Sequence, residues 1–399
     1  MENKKNKILF ISSWYPNRNA PTYGIFVKRH AQAVSLSNNL AVLYVCSDNN
    51  LSNKKYDITE NKEDNVYTII VYYKKVTVFI PLISHFIKAI RYFKAYRLGY
   101  QKIKNHYGKP DLVHANILFP SGIIALYLKW FYKVPYLVTE NWTGYLPSDG
   151  SYKGFFRKLI TKSIAVNANY LTPVSLDLQK AMQDHGFRSN YEIVPNVVDV
   201  NLFYPEKNLP TGQAGKSRKE KKRMIHVSAM DDPQKNISGI IRVIKKVAEK
   251  RNDFELFIVG DGEYKSSLET LAQQLGLLNK IIFFKGLKLK EELAQLIRRS
   301  DFFVLFSNYE NLPCVVLESL ASGLPVIVTR IGGTPEHISG KMGIIVEPKD
   351  EASLEKAIHH MLDHYSEYDP EYLRAYATKK FSYESVAEQF NKIYDKMIK

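Results

Sequence analysis

Two carboxylates stand eight residues apart, on either side of a proline, in the stretch NYENLPCVVLESLASGLPV, residues 308–326. Pro313 fits the first position of a helix, where its missing N–H costs nothing, and Gly323 fits the position just past the helix end. Glu310 is then predicted on the loop before the helix and Glu318 in its second turn. Because the first N–H groups of a helix have no partner within it, a hydroxyl-rich or anionic ligand could bind here. Two carboxylates beside such a site suit the binding of sugar hydroxyls, but the spacing alone equally allows two solvated surface glutamates.

The elements that must position these carboxylates follow from an alternation of short apolar runs with longer amphipathic stretches, which is typical of βαβ units. In the first half, strands are predicted at Ile8–Ser12, Ala41–Cys46, Val66–Tyr73, Leu112–His114, Tyr136–Thr139, Leu171–Val174 and Glu192–Val194. In the second half, the corresponding runs are MIHVSA, FELFIVG, KIIFFKG, DFFVLFS, LPVIVT and GIIVE. Both halves are therefore predicted to be doubly wound α/β domains, whose ligands bind at the carboxyl ends of the strands.

The boundary between the halves is predicted at LPTGQAGKSRKEKKR, residues 209–223, which has the Pro, Gly, Ser and basic composition of an exposed linker or loop. Domains are thus expected at 1–208 and 224–381, because 399 residues are too many for one ordinary core. The last segment, 382–399, is predicted to be a helix that begins after Ser382.

The composition, 45% apolar and 24% charged residues, is that of a soluble globular protein. Two cysteines, Cys46 and Cys314, argue against a disulfide framework and favour a reducing compartment. The first apolar run of the N-terminus is too short for a signal-peptide core, and the apolar run Leu112–Leu128 is interrupted by Pro and Gly. A soluble, cytoplasmic chain is therefore expected.

The net charge of +16 is concentrated in the first half, where residues 1–200 contain 26 Lys and Arg against 13 Asp and Glu, while the remainder contains 30 against 27. The segment from Lys74 to Tyr107 is rich in Lys, Arg, Phe and Tyr and has no acidic residue. Such a helix could lie on an anionic membrane surface, and a core helix with a solvated basic edge explains the same pattern. No recognised binding motif supports nucleic acid as a partner.

The stretch FSNYENLPCVVLESLASGLPVIVTRIGGTPEHI closely resembles the signature of glycosyltransferase family 4, whose members are retaining enzymes of the GT-B fold. The family's motif of two glutamates separated by seven residues corresponds to Glu310 and Glu318, and it is followed by Gly323 and by a Gly-Gly turn at 332–333. Further matching pieces are ISSWYP, YGIFVKRHA, VSAMDDPQKNISGII, VGDGEY and FKG. The resemblance implies two Rossmann-like, doubly wound domains that face each other across a cleft. The first would bind the acceptor and the second the nucleotide sugar, and the last helix could pack back on the first domain.

The resemblance also implies roles for individual residues. Glu310 corresponds to the glutamate that contacts the donor sugar near the reacting carbon, Glu318 to the one that binds the donor's ribose, and Lys235 to the phosphate-binding lysine. Backbone groups at the helix start would hold sugar hydroxyls or diphosphate. The residues of that donor-binding segment are Asn311, Leu312, Pro313 and Cys314.

Gly24 lies in the loop after the first predicted strand. Its lack of a side chain would allow close approach to the diphosphate, and an ordinary turn glycine explains the same residue. The chain has no Asp-x-Asp motif, so neither a metal nor another cofactor is expected, and the nucleotide sugar is a substrate. Lys235 and the helix start must then neutralise the departing diphosphate.

Two positions depart from the family's pattern. Many members carry an arginine where this chain has Ala229, and Arg330 could replace it or be a surface arginine. The family frequently has a histidine where Asn141 stands, and asparagine can hydrogen-bond but cannot titrate near neutral pH. These departures leave open a catalytically weak paralogue that binds sugar nucleotides, and a sugar-nucleotide epimerase of the same fold is a further alternative.

The function implied by the resemblance is that of a hexosyltransferase. It would move a sugar from a nucleotide-sugar donor to a glycan or a lipid-linked oligosaccharide, with the anomeric configuration retained. Bacterial surface polysaccharide, such as lipopolysaccharide or capsule, is the expected product. The expected location is the cytoplasm, with peripheral binding to the inner face of the cytoplasmic membrane where the acceptor is lipid-linked.

Overall fold

The computed structural model describes residues 5–51, 54–76, 81–206 and 221–398. The chain divides into two compact units. Unit 1 consists of Met1–Val197 together with Tyr383–Lys399, and unit 2 consists of Val198–Ser382. No helix within the described ranges is both long enough and apolar enough to cross a bilayer.

Unit 1 is built on an eight-stranded sheet of order β3-β4-β2-β1-β5-β6-β7-β8. Its strands are β1 (Lys7–Ser12), β2 (Asn39–Asp48), β3 (Tyr56–Glu63), β4 (Val66–Lys74), β5 (Leu112–Asn116), β6 (Tyr136–Glu140), β7 (Tyr170–Pro173) and β8 (Asn190–Tyr191). Neighbouring strands pair in parallel, except that β3 runs antiparallel to β4 at one edge. The central strands are buried on both faces, which is why they appear in the sequence as continuous apolar runs.

Helices cover both faces of this sheet. They are α1 (Ile25–Ser35), α2 (Pro81–Tyr107), α3 (Ser121–Tyr132), α4 (Phe155–Asn167), α5 (Leu176–Asp184) and, last of the fourteen α-helices in the described residues, α14 (Tyr383–Met397). Right-handed crossovers place α1 on one face and α2, α3 and α4 on the other, because the connections run in opposite directions along the sheet. Helix α14 packs on α1 and adds Val386, Phe390 and Tyr394 to the core on that face.

Unit 2 is built on a six-stranded parallel sheet of order β11-β10-β9-β12-β13-β14. Its strands are β9 (Lys222–Val227), β10 (Phe254–Val259), β11 (Ile282–Gly286), β12 (Phe302–Leu305), β13 (Val326–Thr329) and β14 (Gly343–Val346). Its helices are α6 (Asp232–Lys235), α7 (Ile237–Ala248), α8 (Lys265–Gln274), α9 (Lys290–Arg298), α10 (Cys314–Ala321), α11 (Thr334–His337), α12 (Glu351–His364) and α13 (Pro370–Phe381). Both units are therefore doubly wound α/β sheets, as predicted.

Three local predictions differ from the structure. Strand β8 ends at Tyr191, before the predicted strand Glu192–Val194, although the N–H groups of Glu192 and Val194 still donate to the carbonyls of Leu171 and Pro173 at 3.2 Å. The regular ladder does not continue, because Pro195 has no N–H to donate and restricts the residue before it. Strand β3 was missed because its side chains are largely polar and exposed, as suits an edge strand. The predicted linker, 209–223, lies outside the described residues up to residue 220, and its last two residues already belong to β9.

Candidate active site

The sheet order of unit 2 defines one point at which connections change direction. From β9 the chain proceeds to β10 and β11 on one side, and it then returns to β12, which pairs with β9 on the other side. The loops that follow β9 and β12 meet at this point, at the carboxyl ends of the two strands, which is where doubly wound proteins have their ligand-binding crevice. Lys235 follows β9 and Glu310 follows β12.

Lys235 and Glu310 form an ion pair at this crevice. The ammonium group contacts carboxylate oxygen Oε1 of Glu310, and the two side chains are only 14% and 8% exposed. The Ser307 hydroxyl donates a second hydrogen bond to the same oxygen, at 3.0 Å. A charge-assisted contact of this kind is stronger than a neutral hydrogen bond and keeps both charges in a partly desolvated position. Lys235 is the last residue of the short helix α6, two residues before the start of the long helix α7.

Backbone contacts fix the two loops against each other. The N–H of Asn308 donates to the Gln234 carbonyl at 2.7 Å, and the Asn308 side-chain amide donates to the Pro233 carbonyl at 2.9 Å. The Thr329 hydroxyl donates to the Ser307 carbonyl at 2.9 Å and so ties the loop to the end of β13. The geometry of the ion pair is therefore set by main-chain contacts on both sides and not by the two flexible side chains alone.

Glu318 lies in the second turn of α10 and is buried, as is Asn311 in the preceding loop. Pro313 is the capping residue before the first turn instead of its first residue, because its ψ of 118° is extended. Gly323 adopts a φ of +75° just past the helix end, as predicted. The structure thus presents Asn311, Leu312, Pro313 and Cys314 as one continuous segment that leads from Glu310 into the helix.

Gly332 lies directly against the backbone of the loop that carries Glu310. Its φ is +53°, and a Cβ at this position would lie 2.2 Å from the Glu310 carbonyl oxygen and 2.4 Å from the Asn311 carbonyl oxygen. The N–H of Gly333 donates to the same Asn311 carbonyl at 2.6 Å. Only a glycine allows the turn after β13 to approach the backbone of the Glu310 loop this closely.

Sequence reasoning missed His226, which is fully buried near the end of β9. Its Nδ1 lies 2.9 Å from the Val304 carbonyl and must donate there, because a carbonyl only accepts, and its Nε2 lies 2.7 Å from the Ser228 hydroxyl. Burial lowers the pKa of His226 to about 4, and the positive charge of nearby Lys235 acts in the same direction. The imidazole is therefore neutral at neutral pH and orients Ser228. In the sequence, His226 is only a polar residue within the apolar run MIHVSA, and nothing there indicates that it lies beside the site.

Arg330 and Ala229 lie outside this group of contacts. Arg330 Nε donates to Oε1 of Glu347 at 2.7 Å, and both side chains are more than half exposed. Ala229 is exposed in the turn after β9. In the described part of the chain, the structure therefore brings together Lys235, Glu310 and Ser307, whereas Arg330 is held in a surface ion pair.

Of the predicted residues of unit 1, Gly24 follows β1, which is flanked by β2 and β5, and Asn141 follows β6, which pairs with β5. Gly24 caps the start of α1 with a φ of +67°, and a Cβ there would lie 2.5 Å from the Trp14 carbonyl carbon. The chain's own backbone thus requires this glycine. This requirement is independent of the close approach to a diphosphate that the resemblance implies, which stays a prediction.

Asn141 is half-buried directly after β6, next to the fully buried Glu140. Oε1 of Glu140 accepts hydrogen bonds from the N–H groups of Asn141 and Trp142, and Oε2 accepts one from the N–H of Leu118. Burial raises the pKa of Glu140 to about 7 despite these three donors. Glu140 therefore holds the turns after β5 and β6 together, and it fixes the backbone that carries Asn141.

No group of three or more His, Cys, Asp or Glu side chains that could hold a metal ion occurs among the described residues.

Residues 55–202 match the family described as Glycosyltransferase Family 4, and residues 212–380 match the family described as Glycosyl transferases group 1. An uncharacterized glycosyltransferase of Methanocaldococcus jannaschii, MJ1178, is 25% identical over 85% of this chain and 88% of its own length. Sucrose-phosphate synthase from Thermosynechococcus elongatus superposes with a TM-score of 0.76 over 98% of this chain and 99% of that one, at 20% identity. Anabaena HepE in complex with UDP-glucose superposes with a TM-score of 0.69 over 98% and 99% of the two chains, at 16% identity.

The two doubly wound units and the polar site at a switch point define a protein of the GT-B class, as the sequence predicted. The two family matches together span most of the chain. The chain belongs to glycosyltransferase family 4, and it is a glycosyltransferase of the hexosyltransferase type.

Proposed function

We propose that this glycosyltransferase moves a sugar from a nucleotide-sugar donor to a glycan or lipid-linked acceptor with the anomeric configuration retained. The observation that carries the proposal is the buried pair of Lys235 and Glu310 beside the start of α10. One cation, one carboxylate and a helix N-terminus at a single crevice match the charges that develop when a sugar leaves a diphosphate.

The reaction breaks the bond between the anomeric carbon and the diphosphate oxygen, forms a bond between that carbon and an acceptor hydroxyl oxygen, and passes the hydroxyl proton to the departing diphosphate. Negative charge then develops on the leaving group and positive charge on the sugar. Lys235 and the start of α10 would stabilise the first, and the Glu310 carboxylate would stabilise the second. The donor's phosphate would compete with Glu310 for the Lys235 ammonium group. Binding of the donor would thus free the carboxylate to act on the sugar. We assign Glu318 to the ribose and the segment from Asn311 to Cys314 to sugar hydroxyls or diphosphate.

We assign donor binding to unit 2 and acceptor binding to unit 1, with Asn141 as a hydrogen-bonding group for a sugar. The proposal includes a role in bacterial surface polysaccharide, such as lipopolysaccharide or capsule, and a peripheral location at the inner face of the cytoplasmic membrane. UDP-sugars are the first donors to test, because the similarly folded Anabaena HepE binds UDP-glucose. We retain Gly24 and Arg330 as proposed donor contacts, in addition to the local contacts that each of them makes.

The experiment that tests the proposal is release of nucleoside diphosphate from UDP-, GDP- and ADP-sugars, with a lipid extract as acceptor source and with EDTA present throughout. Glu310→Gln should lower turnover about 10²- to 10³-fold, because it removes the charge that faces the reacting carbon, while donor affinity changes by only about threefold. The matched control is Glu249→Gln, an exposed glutamate at the end of α7, which should retain full turnover.

Four outcomes would contradict the proposal. Near-normal turnover of Glu310→Gln with lost donor affinity would refute the role of that residue. Loss of activity on chelation, restored by manganese or magnesium, would refute charge neutralisation by Lys235 and the helix start. Binding of a donor with no turnover would identify a weak paralogue, and interconversion of the donor sugar without acceptor would identify an epimerase.

A further inference from the structure

The outward face of helices α2, α3 and α4 differs from the rest of the molecular surface. All three helices lie on one side of the eight-stranded sheet. Helix α2 packs over β2 and β4, with Gly99 against Leu43 and Val71, and α3 packs over β1 and β5. Helix α4 lies beside α3, where Gly122 meets Ile164. We call this outward surface the α2–α4 face.

Large hydrophobic side chains are concentrated on the α2–α4 face. Twelve of the twenty that are exposed among the described residues belong to these three helices, against four in the whole of unit 2. The twelve are Ile83, Phe86, Ile90, Phe93, Tyr127, Trp130, Phe131, Tyr132, Phe155, Phe156, Leu159 and Val166. Phe131 is 69% exposed and both phenylalanines at the start of α4 are 76% exposed, which is far beyond the scattered single exposures of an ordinary soluble surface.

Two contacts join the helices of this face. Along α2, Phe86, Ile90 and Phe93 recur at helical spacing on the side opposite the buried residues Ala95, Tyr96 and Gly99. The ring of Tyr100 on α2 lies 5.9 Å from that of Tyr132 on α3, which links the two helices. Helices α3 and α4 contact each other directly.

Charge on this face has a single sign. Six Lys and Arg residues lie on α2, one on α3 and three on α4, and none of the three helices contains Asp or Glu. Lys88, Lys94 and Arg97 are exposed, whereas Arg91 donates to the carbonyls of Lys74 and Lys75 and so has a structural task.

We infer that the α2–α4 face docks on a bilayer surface that contains anionic lipid, with the aromatic side chains of α3 and α4 inserted among the headgroups. A bilayer interface accepts both parts of the face, because Trp, Tyr and Phe lie at the boundary of headgroups and acyl chains while Lys and Arg contact anionic headgroups. Nucleic acid would match the charge but not the exposed aliphatic residues Ile83, Ile90, Leu159 and Val166.

This inference deepens the proposed function, because a lipid-linked acceptor would be held at such a surface, yet it rests on unit 1 alone. It also changes the expected binding mode. A basic helix alone would be released at high salt, since exposed charges are screened beyond a Debye length of about 8 Å at physiological ionic strength. Inserted aromatic residues resist salt, so part of the binding should persist.

The test is co-flotation of the purified full-length chain with vesicles of phosphatidylcholine alone or mixed equally with phosphatidylglycerol. The wild type should bind the acidic vesicles, and high salt should weaken this binding without abolishing it. The triple variant Phe131→Ser, Phe155→Ser, Phe156→Ser should bind at least about tenfold less and release fully in salt. Neutralising Lys88, Lys94 and Arg97 should instead remove the preference for acidic vesicles. The matched control is Leu287→Ser with Leu289→Ser, two exposed apolar residues of unit 2.

The inference is overturned if the wild type does not float, if neutral and acidic vesicles bind it equally, or if the aromatic variant floats like the wild type. Concentration-dependent self-association that the aromatic variant abolishes would also overturn it, by showing a second copy of the chain as the occupant. Thermal stabilisation by a nucleoside diphosphate should be the same in the aromatic variant as in the wild type. Failure to float with intact nucleotide stabilisation would therefore refute this inference and the proposed peripheral location, and it would leave the proposed transfer reaction standing.

Discussion

Units 1 and 2 share one architecture and distribute their charges in opposite ways. Each is a doubly wound sheet with a single point where the strand order turns. In unit 2 that point carries a desolvated ion pair, Lys235 with Glu310, and cations on the outer helices are matched by acids, as in the pairs Arg242–Glu351 and Lys250–Glu355. In unit 1 the turns after β5 and β6, beside the corresponding point, are held together by one buried carboxylate, Glu140. The cations of α2, α3 and α4 have no acidic residue on their own helices.

Under the two proposals, the charges of unit 2 act on the reacting atoms, and those of unit 1 position the protein on a membrane surface. A charge that must act on a reacting atom has to be buried and fixed by backbone contacts, as Glu310 is, because a mobile group loses orientation and is screened by water. A charge that recognises an extended surface has to remain exposed, as Lys88, Lys94 and Arg97 of the α2–α4 face are. Variants in one unit should therefore leave the property of the other unchanged, and each of the following variants can break or sharpen that separation.

Among variants that leave the charges of unit 2 intact, Gly332→Ala is expected to have the largest effect on stability and turnover. The new Cβ would overlap the carbonyls of Glu310 and Asn311, and alanine is also strained at a φ of +53°. We expect a loss of about 3 kcal/mol in the free energy of unfolding and at least a 10²-fold loss of turnover, because the Glu310 loop must move. Calorimetry and the diphosphate-release assay measure the two effects.

Gly276→Ala is the matched control for that change. Gly276 has a φ of +71°, and nothing lies within 4 Å of the position that a Cβ would take there, so only backbone strain is added. It should lose about 1 kcal/mol and keep normal turnover. Equal losses in the two variants would mean that the close approach of the Gly332 turn does not hold the site.

In unit 1 the prediction concerns Glu140, whose pKa is raised by burial to about 7. A carboxyl with a raised folded pKa contributes stability that is fully present below its unfolded pKa and is lost as pH rises through the folded pKa. Between about pH 4.5 and pH 8, unit 1 should thus lose up to about 3 kcal/mol from this group. Glu140→Gln should remove that pH dependence.

Tryptophan fluorescence during urea unfolding at pH 5.5 and pH 8 is a direct measurement, because the three tryptophans all lie in unit 1. Glu384→Gln changes an exposed glutamate of the same unit and serves as the control. The same pH dependence in Glu140→Gln as in the wild type would show that the buried carboxyl is ionised at both pH values.

Much of this architecture could be predicted from the sequence because the signals are local. Buried parallel strands are continuous apolar runs, and the segment from Glu310 to Gly323 carries its own helix start and stop. The resemblance to the family's motif, two glutamates separated by seven residues, led to the predicted roles of Glu310 and Glu318. The edge strand β3 gave no such signal, since a polar strand is recognisable only beside its partner β4.

Contacts across the sheet were not predictable in this way. Ser307 and His226 join the site only because β9 and β12 are neighbours, and no sequence pattern specifies that order. The requirement for Gly24 comes from the Trp14 backbone ten residues earlier. Only part of the α2–α4 face could be predicted from the sequence. The basic residues of α2 lie in one segment of the sequence, whereas the aromatic residues of α3 and α4 come together only when the two helices pack side by side.

The central claim is that unit 2 binds the donor's diphosphate through Lys235. The most direct measurement is the melting temperature of the chain with and without UDP, GDP and ADP, in EDTA, for the wild type, Lys235→Ala and the exposed control Lys245→Ala. A ligand that binds only the folded state raises the melting temperature by mass action. The account predicts that one of the three nucleotides stabilises the wild type and Lys245→Ala but not Lys235→Ala, each compared with its own ligand-free melting temperature. No stabilisation by any of the three, or equal stabilisation of all three proteins, would contradict it.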